Sequence, residues 1–353
     1  SQWPDTRILD LLGIELPIIQ APMAGATGSA MVIAASNAGD LGSMPAAMLS
    51  IEQLREELKT IRQQSQRPFN INYFCHQTPA ADEQRAREWK NLLEPYYREL
   101  GVDFEAPTPV SNRAPFDNAA CEVLEEFRPE VVSFHFGLPE QSLLDRVKAT
   151  GAKILSSATT VEEAVWLEQY GCDAIIAMGY EAGGHRGMFL SDDLSSQVGT
   201  FALVPQVVDA VKVPVIAAGG ISDARGVAAA FLLGASAVQV GTAYLFTPEA
   251  KVSASHHKAL RTAKESETAV TNLFTGRPAR GILNRVMREL GPMSDNAPAF
   301  PLAGGALMPL RAKGETDFSN LWAGQAFTLG VEVSTAELTR RLAEEGLAKL
   351  LRR

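Results

Sequence analysis

Cysteine is scarce in this chain of 353 residues: Cys75, Cys121 and Cys172 are odd in number and far apart. They form neither a C-x-x-C pattern nor a disulfide framework, so a reducing cytoplasm is the expected compartment. Aromatic residues make up only 7%, a mix with abundant Ala and Gly that suits helices packed on strand ends better than an all-β sandwich. Basic runs are missing and the formal net charge is −9, which argues against a nucleic-acid partner. Apolar runs are no longer than strands, so no membrane span is expected. Ser1 to Leu12 mixes charge with apolarity and does not form a signal peptide. No fixed solenoid-type repeat recurs along the chain.

What does recur is a short apolar run, a small-residue turn and an amphipathic helix, the βα signature. The runs are Pro17–Gln20, Leu41–Met44, Phe69–Phe74, Val131–Phe134, Ile154–Ser157, Ala174–Ala177, Val215–Ala218 and Ala237–Val240. An open doubly wound sheet shows the same alternation, but eight parallel strands favour closure into an α/β (β/α)8 TIM barrel. Helix starts are marked by Ser50-x-x-Gln53 and Thr160-x-x-Glu163, both read as capping boxes, and by Ser222-Asp223, with an acid in the first turn of a helix through Leu232.

Two stretches break the alternation. Residues 75–116 form a polar insertion, and residues 250–353 a long tail, read as helical, with an irregular Gly/Pro stretch from Gly291 to Leu310. The expected division is a barrel of residues 1–74 and 117–249, with a mostly helical, substrate-side cap made of 75–116 and 250–353. Such additions serve equally as contacts in a homo-oligomer.

The clearest local signal lies at the last two runs. One ends in Ala218-Gly219-Gly220-Ile221 and enters a helix; the other ends in Gln239-Val240-Gly241-Thr242. Glycine lets backbone N–H groups approach an anion, and a helix N-terminus adds its dipole. Barrels commonly hold a phosphate there, although each glycine pair alone reads equally well as a tight turn. Sugar phosphates, pyridoxal phosphate and FMN all fit. The small residues of Ala21-Pro22-Met23-Ala24-Gly25 would lie flat against a ring, and Asn70 offers donors and an acceptor to a heterocycle edge; both favour flavin.

After the sixth run comes Met178-Gly-Tyr-Glu-Ala-Gly-Gly-His185-Arg-Gly187. A His just beyond a strand's carboxyl end sits where barrel chemistry happens, and imidazole can take a proton or hold an anion. His135, ending the fourth run, is a second pocket candidate or a core residue. His76 on the insertion and His256-His257 on a polar helix read as exposed or structural. No clustered ligands suggest a metal.

The run EAGGHRG, with QAPMAG, AAGGI, QVGTAYL and the late Trp322-Ala323-Gly324-Gln325, resembles the nitronate monooxygenase family from about Leu11 to Gln325. The resemblance implies an FMN cofactor lined by Ala21, Pro22, Met23, Asn70, Met178, Gly183, Gly220, Gln239, Val240, Gly241 and Thr242. It implies His185 as the active-site histidine. It implies a reaction in which O2 oxidises a small-molecule alkyl nitronate, such as propionate 3-nitronate, to a carbonyl compound and nitrite. Relatives often carry Gln where Met178 stands; a thioether cannot donate, so contact there is backbone or van der Waals. Two rivals remain: an NADH-dependent enoyl-thioester or quinone reductase on the same flavin barrel, and a non-redox phosphate-binding barrel. The lack of a strand-end Lys for a Schiff base counts against an aldolase.

Overall fold

The computed structural model describes residues 2–111 and 113–352; Ser1, Asn112 and Arg353, which fall within the expected barrel, insertion and cap, lie outside them. The strands run β1 Ile18–Gln20, β2 Gly42–Pro45, β3 Phe69–Phe74, β4 Val131–His135, β5 Lys153–Ala158, β6 Ala174–Met178, β7 Gly184–His185, β8 Val215–Ala218, β9 Ala237–Val240, β10 Thr268–Thr271 and β11 Ala279–Ile282. Eight of them pair in the order β1-β9-β8-β6-β5-β4-β3-β2, all parallel. A parallel bridge between Ile19 and Leu41 joins the two ends of the row, giving the TIM barrel that the eight apolar runs foretell.

Strand side chains alternate between faces, and here the two faces carry different work. Ile71, Val132, Phe134, Ile154, Ile175, Val238 and Val240 point outward into the core shared with the helices. Inward, at the amino-terminal end, Val131, Leu155, Ala174, Ile216 and Ala237 pack with Ile8 and Leu12 of helix Arg7–Leu12. That apolar plug closes the bottom. Towards the carboxyl ends the inward residues turn polar or thioether: Asn72, Ser133, His135, Ser157, Met178 and Gln239 all line the one cavity described below.

Ser50 and Gln53 make the full reciprocal cap. Thr160 makes only half of one. Its hydroxyl accepts from Glu163 N–H at 3.2 Å, but the Glu163 carboxylate does not turn back to the cap. Buried, it accepts from Thr159 and from the backbone N–H groups of Phe189 and Leu190. Four donors, two from Thr159 and two from the loop beyond β7, outbid the single cap amide. Asp223 is the N-cap itself, accepting from Arg225 N–H, rather than a first-turn acid.

The tail is not helical throughout. β10 and β11 form an antiparallel hairpin that accepts β7 as a third strand, Ala279 opposite His185. A separate apolar cluster joins Trp89, Leu93, Tyr96 and Tyr97 of helix Glu83–Leu100 to Phe274, Met287, Leu307, Leu310 and Phe318 of the tail. Insertion and tail therefore share a core.

The C-terminal helix Thr335–Leu351 returns to the barrel through a buried acid. Asp40, 1% exposed, accepts from Tyr244 at 3.0 Å and from Thr339 at 3.2 Å, and its Oδ1 has no partner among the described residues. Burial pushes its pKa up to about 7, against the lowering pull of those two hydrogen bonds. The folded chain thus holds this proton more tightly than the unfolded chain, so the acid's contribution is complete below about pH 4 and is lost as pH rises towards 7. Asp40→Asn should remove that slope. The variant's melting temperature is expected to gain on the parent's steadily between pH 5 and pH 8, read by thermal denaturation across that range.

Candidate active site

A cavity of about 360 Å3 opens at the carboxyl ends of the barrel strands and runs beneath the cap. The end of the cavity at Gly219, Gly220 and Gly241 takes the geometry that the glycine pattern suggests. Gly219 and Gly220 take φ of +110° and +72°, the left-handed region that favours glycine, and helix Ala224–Leu232 starts just beyond. A Cβ on Gly220 would press the Glu181 side chain at 3.3 Å. Gly241 faces the same space, with Ala21 Cβ and Met23 Sδ as the nearest neighbours of an added Cβ. Gln239 brings a buried Oε1 that no described residue satisfies, the mark of a site awaiting a donor. The tail run Trp322–Gln325 is brought here too: Gly324 N–H donates to Thr242 Oγ1 at 3.0 Å. A Cβ on Gly183 would strike Gly324 N at 2.5 Å.

Of the residues expected around a cofactor, Ala21, Pro22, Met23, Met178, Gly183, Gly220, Gln239, Gly241 and Thr242 line the cavity, and so do His135 and His185. Asn70 and Val240 do not. Asn70 points inward but one layer too deep; its amide donates to Ser43 and Ser133, and Asn72, two residues on, lines the cavity in its place. Val240 points outward into the helical core, and only its carbonyl serves the site's frame, accepting from Ala21 N–H. The Met178 carbonyl is taken by Arg186, which leaves the thioether to face the cavity.

His185 sits on β7, held by the cap hairpin. Its Nε2 is 2.8 Å from Thr275 Oγ1, and rings of Phe74, Phe136, Phe300 and Trp322 surround it at 5.3–6.1 Å between centroids. Burial, then the positive field of Arg113 and Arg277, lowers its pKa well below the usual histidine value. The imidazole is neutral at physiological pH. His135 is neutral as well, pushed down to about 4 chiefly by burial. Its Nε2 meets the His185 carbonyl at 3.1 Å; because a carbonyl only accepts, Nε2 carries the proton and Nδ1 accepts from Ser157. His135 therefore braces the loop that presents His185.

Several residues had no readable signal. His76 is not exposed: it is 5% accessible and packed edge-on against Phe300 at 4.7 Å. His256 is half-buried, bonded to the Trp322 carbonyl, and lines the cavity. Phe136 takes φ of +68°, a strained conformation for an aromatic residue, and so turns its ring beside the histidines. Arg113 and Thr275, from the insertion and the tail, are reached only through tertiary packing. If Thr275 fixes the imidazole tautomer, Thr275→Val should lower kcat about tenfold, the value of one hydrogen bond, with KM little changed in steady-state assays.

The nitronate monooxygenase family profile matches residues 5–345. A nitronate monooxygenase from Pseudomonas aeruginosa is 42% identical, covering 96% of this chain and 98% of that one. A nitroalkane oxidase from Streptomyces ansochromogenes has the same fold with a TM-score of 0.88, at 36% identity over 98% of each chain. FabK from Thermotoga maritima follows at a TM-score of 0.76 and 28% identity, covering 98% of this chain and 96% of its own. On sequence and fold together, this chain belongs to the nitronate monooxygenase family of oxidoreductases.

Proposed function

We propose that the protein uses FMN and O2 to oxidise alkyl nitronates, such as propionate 3-nitronate, to a carbonyl compound and nitrite. Flavin dependence is general in the family, and the residues present fit FMN. Gly220, Gly241 and Thr242, with the N-terminus of helix Ala224–Leu232, would hold the phosphate. Ala21 to Met23, Met178 and Gly183 would lie along the ring, and Gln239 Oε1 would accept from its polar edge. Bound there, FMN supplies the electron-accepting chemistry and the reactivity with O2.

The observation that carries the reading is a neutral imidazole facing the same cavity as a glycine-built anion cradle. In the tautomer with the proton on Nε2, facing Thr275 Oγ1, His185 Nδ1 keeps its lone pair and can take the α-proton of a nitroalkane. His135 and the cap hairpin hold that ring in place. Phe74, Phe136, Phe300 and Trp322 exclude water around it. A nitronate arrives already deprotonated and needs no base. Nitrite release that requires both nitronate and O2, in the FMN-loaded protein, tests the proposal; its absence with every nitronate tried would refute it.

The rival worth retaining is an NADH-dependent flavin reductase, because FabK shares the fold at 28% identity. The cytoplasm stays the proposed compartment on the cysteine pattern. Among the described residues no helix is long and apolar enough to cross a membrane.

A further inference from the structure

We propose that Arg113 is the residue that makes this pocket prefer anionic nitronates to neutral nitroalkanes, its guanidinium meeting the two nitronate oxygens. The inference rests on the nitronate reading above and assigns the counter-charge within it.

The chain carries a net charge of −9, yet among the described residues lining the cavity there is no Asp or Glu. Two cations line it, Arg113 and Lys251. Lys251 is already 3.7 Å from Glu57 and 59% exposed at the rim. Arg113 is different: its Nε is buried without a partner, and its guanidinium makes no hydrogen bond or ion pair with any described residue. Neighbouring arginines are committed elsewhere. Arg277 donates to the Met188 carbonyl and stacks on Phe136 at 4.2 Å; Arg186 and Arg280 hold the carbonyls of Met178, Gly179 and Tyr180. The histidines cannot supply the charge, because burial keeps His76, His135 and His185 neutral.

A half-buried guanidinium whose Nε is shut away from solvent without a partner is stabilised by an anion that joins it, and its planar fork matches a pair of oxygens on one centre. The loop bearing it is held on both sides. Phe116 N–H donates to the Phe74 carbonyl at 2.8 Å, while the Pro109 carbonyl packs so closely on Gly305 of the tail that a Cβ there would lie 2.3 Å away. Barrel and cap together thus fix the position of the charge. This division of labour gives proton removal to His185 and charge complementarity to Arg113.

The test compares the FMN-loaded parent with Arg113→Gln and Arg113→Lys. Potassium nitrate, a planar oxyanion that does not react, serves as the probe by calorimetry, alongside KM for a nitronate and for its parent nitroalkane. Expected is a 10- to 100-fold weaker nitrate affinity in Arg113→Gln, roughly the worth of a charged hydrogen bond, with partial recovery in Arg113→Lys. KM for the nitronate should rise in step, while KM for the nitroalkane moves less than about threefold. In the parent, nitrate affinity should stay level from pH 6 to 9, since Arg keeps its charge throughout. Nitrate binding unchanged in Arg113→Gln, or KM rising equally for both substrates, would overturn the assignment. Nitrate binding lost in Arg113→Gln, in a protein that turns over no nitronate, would support the anion site and defeat only the proposed reaction.

Discussion

Replacing His185 with Asn is expected to reduce kcat/KM for neutral nitroalkanes by about 10²- to 10⁴-fold, the usual contribution of a positioned base. Oxidation of the preformed nitronate should fall by less than about tenfold, since that substrate asks only for contact and exclusion of water. The split follows from the ring's surroundings. Nε2 is engaged with Thr275 and the loop is braced by His135, so an Asn at this position keeps polarity without a basic lone pair. Burial and the nearby guanidiniums favour the neutral ring. The parent's nitroalkane kcat/KM should accordingly stay level on lowering pH through 6.5, with its acid limb lying well below that value. Equal losses on both substrates would instead make His185 an anion holder.

Gly241→Leu should yield a folded, colourless protein. Gly241 has φ of −110°, open to any residue, and an added Cβ would meet only Ala21 Cβ at 3.4 Å and Met23 Sδ at 3.7 Å, ordinary contacts. The rest of the leucine then projects into the cavity and occupies the space where the phosphate is proposed to sit. FMN affinity should drop by at least about 100-fold, the scale expected when a backbone-amide anion site is blocked. The melting temperature without cofactor should stay close to the parent's. Gly183 is the contrasting case: its Cβ would collide with the backbone of Ala323 and Gly324, so loss of flavin there would be confounded with misfolding.

How much of this was legible in sequence follows from what each signal encodes. The eight strands were readable because inward and outward faces both bury apolar side chains, leaving short runs bounded by small residues. The glycine cradle was readable because φ above zero and close approach leave glycine as the natural residue. Asn70 shows the limit. Period two puts Asn70 and Asn72 on one face, yet how deep the cavity reaches is set by packing, so the upper residue lines it. Val240 fails for the complementary reason, adjacent residues facing opposite ways. The β10–β11 hairpin was missed within a tail read as helical: strands of four residues each, ARGI among them, give too little period to outweigh the helices around them. His76 and Arg113 carried no local signal at all, since an insertion rich in charge reads as solvated until the tail folds over it.

FMN, held by the Gly220 and Gly241 ends, would supply the electron-accepting chemistry for a nitronate beside His185 in the proposed reaction. Anaerobic titration of the FMN-loaded protein tests it most directly, with absorbance near the flavin's visible maximum followed as propionate 3-nitronate and, separately, NADH are added. Rapid loss of flavin colour is expected with the nitronate and none on that timescale with NADH. Rapid bleaching by NADH with an inert nitronate, or a protein that binds no flavin, would contradict it.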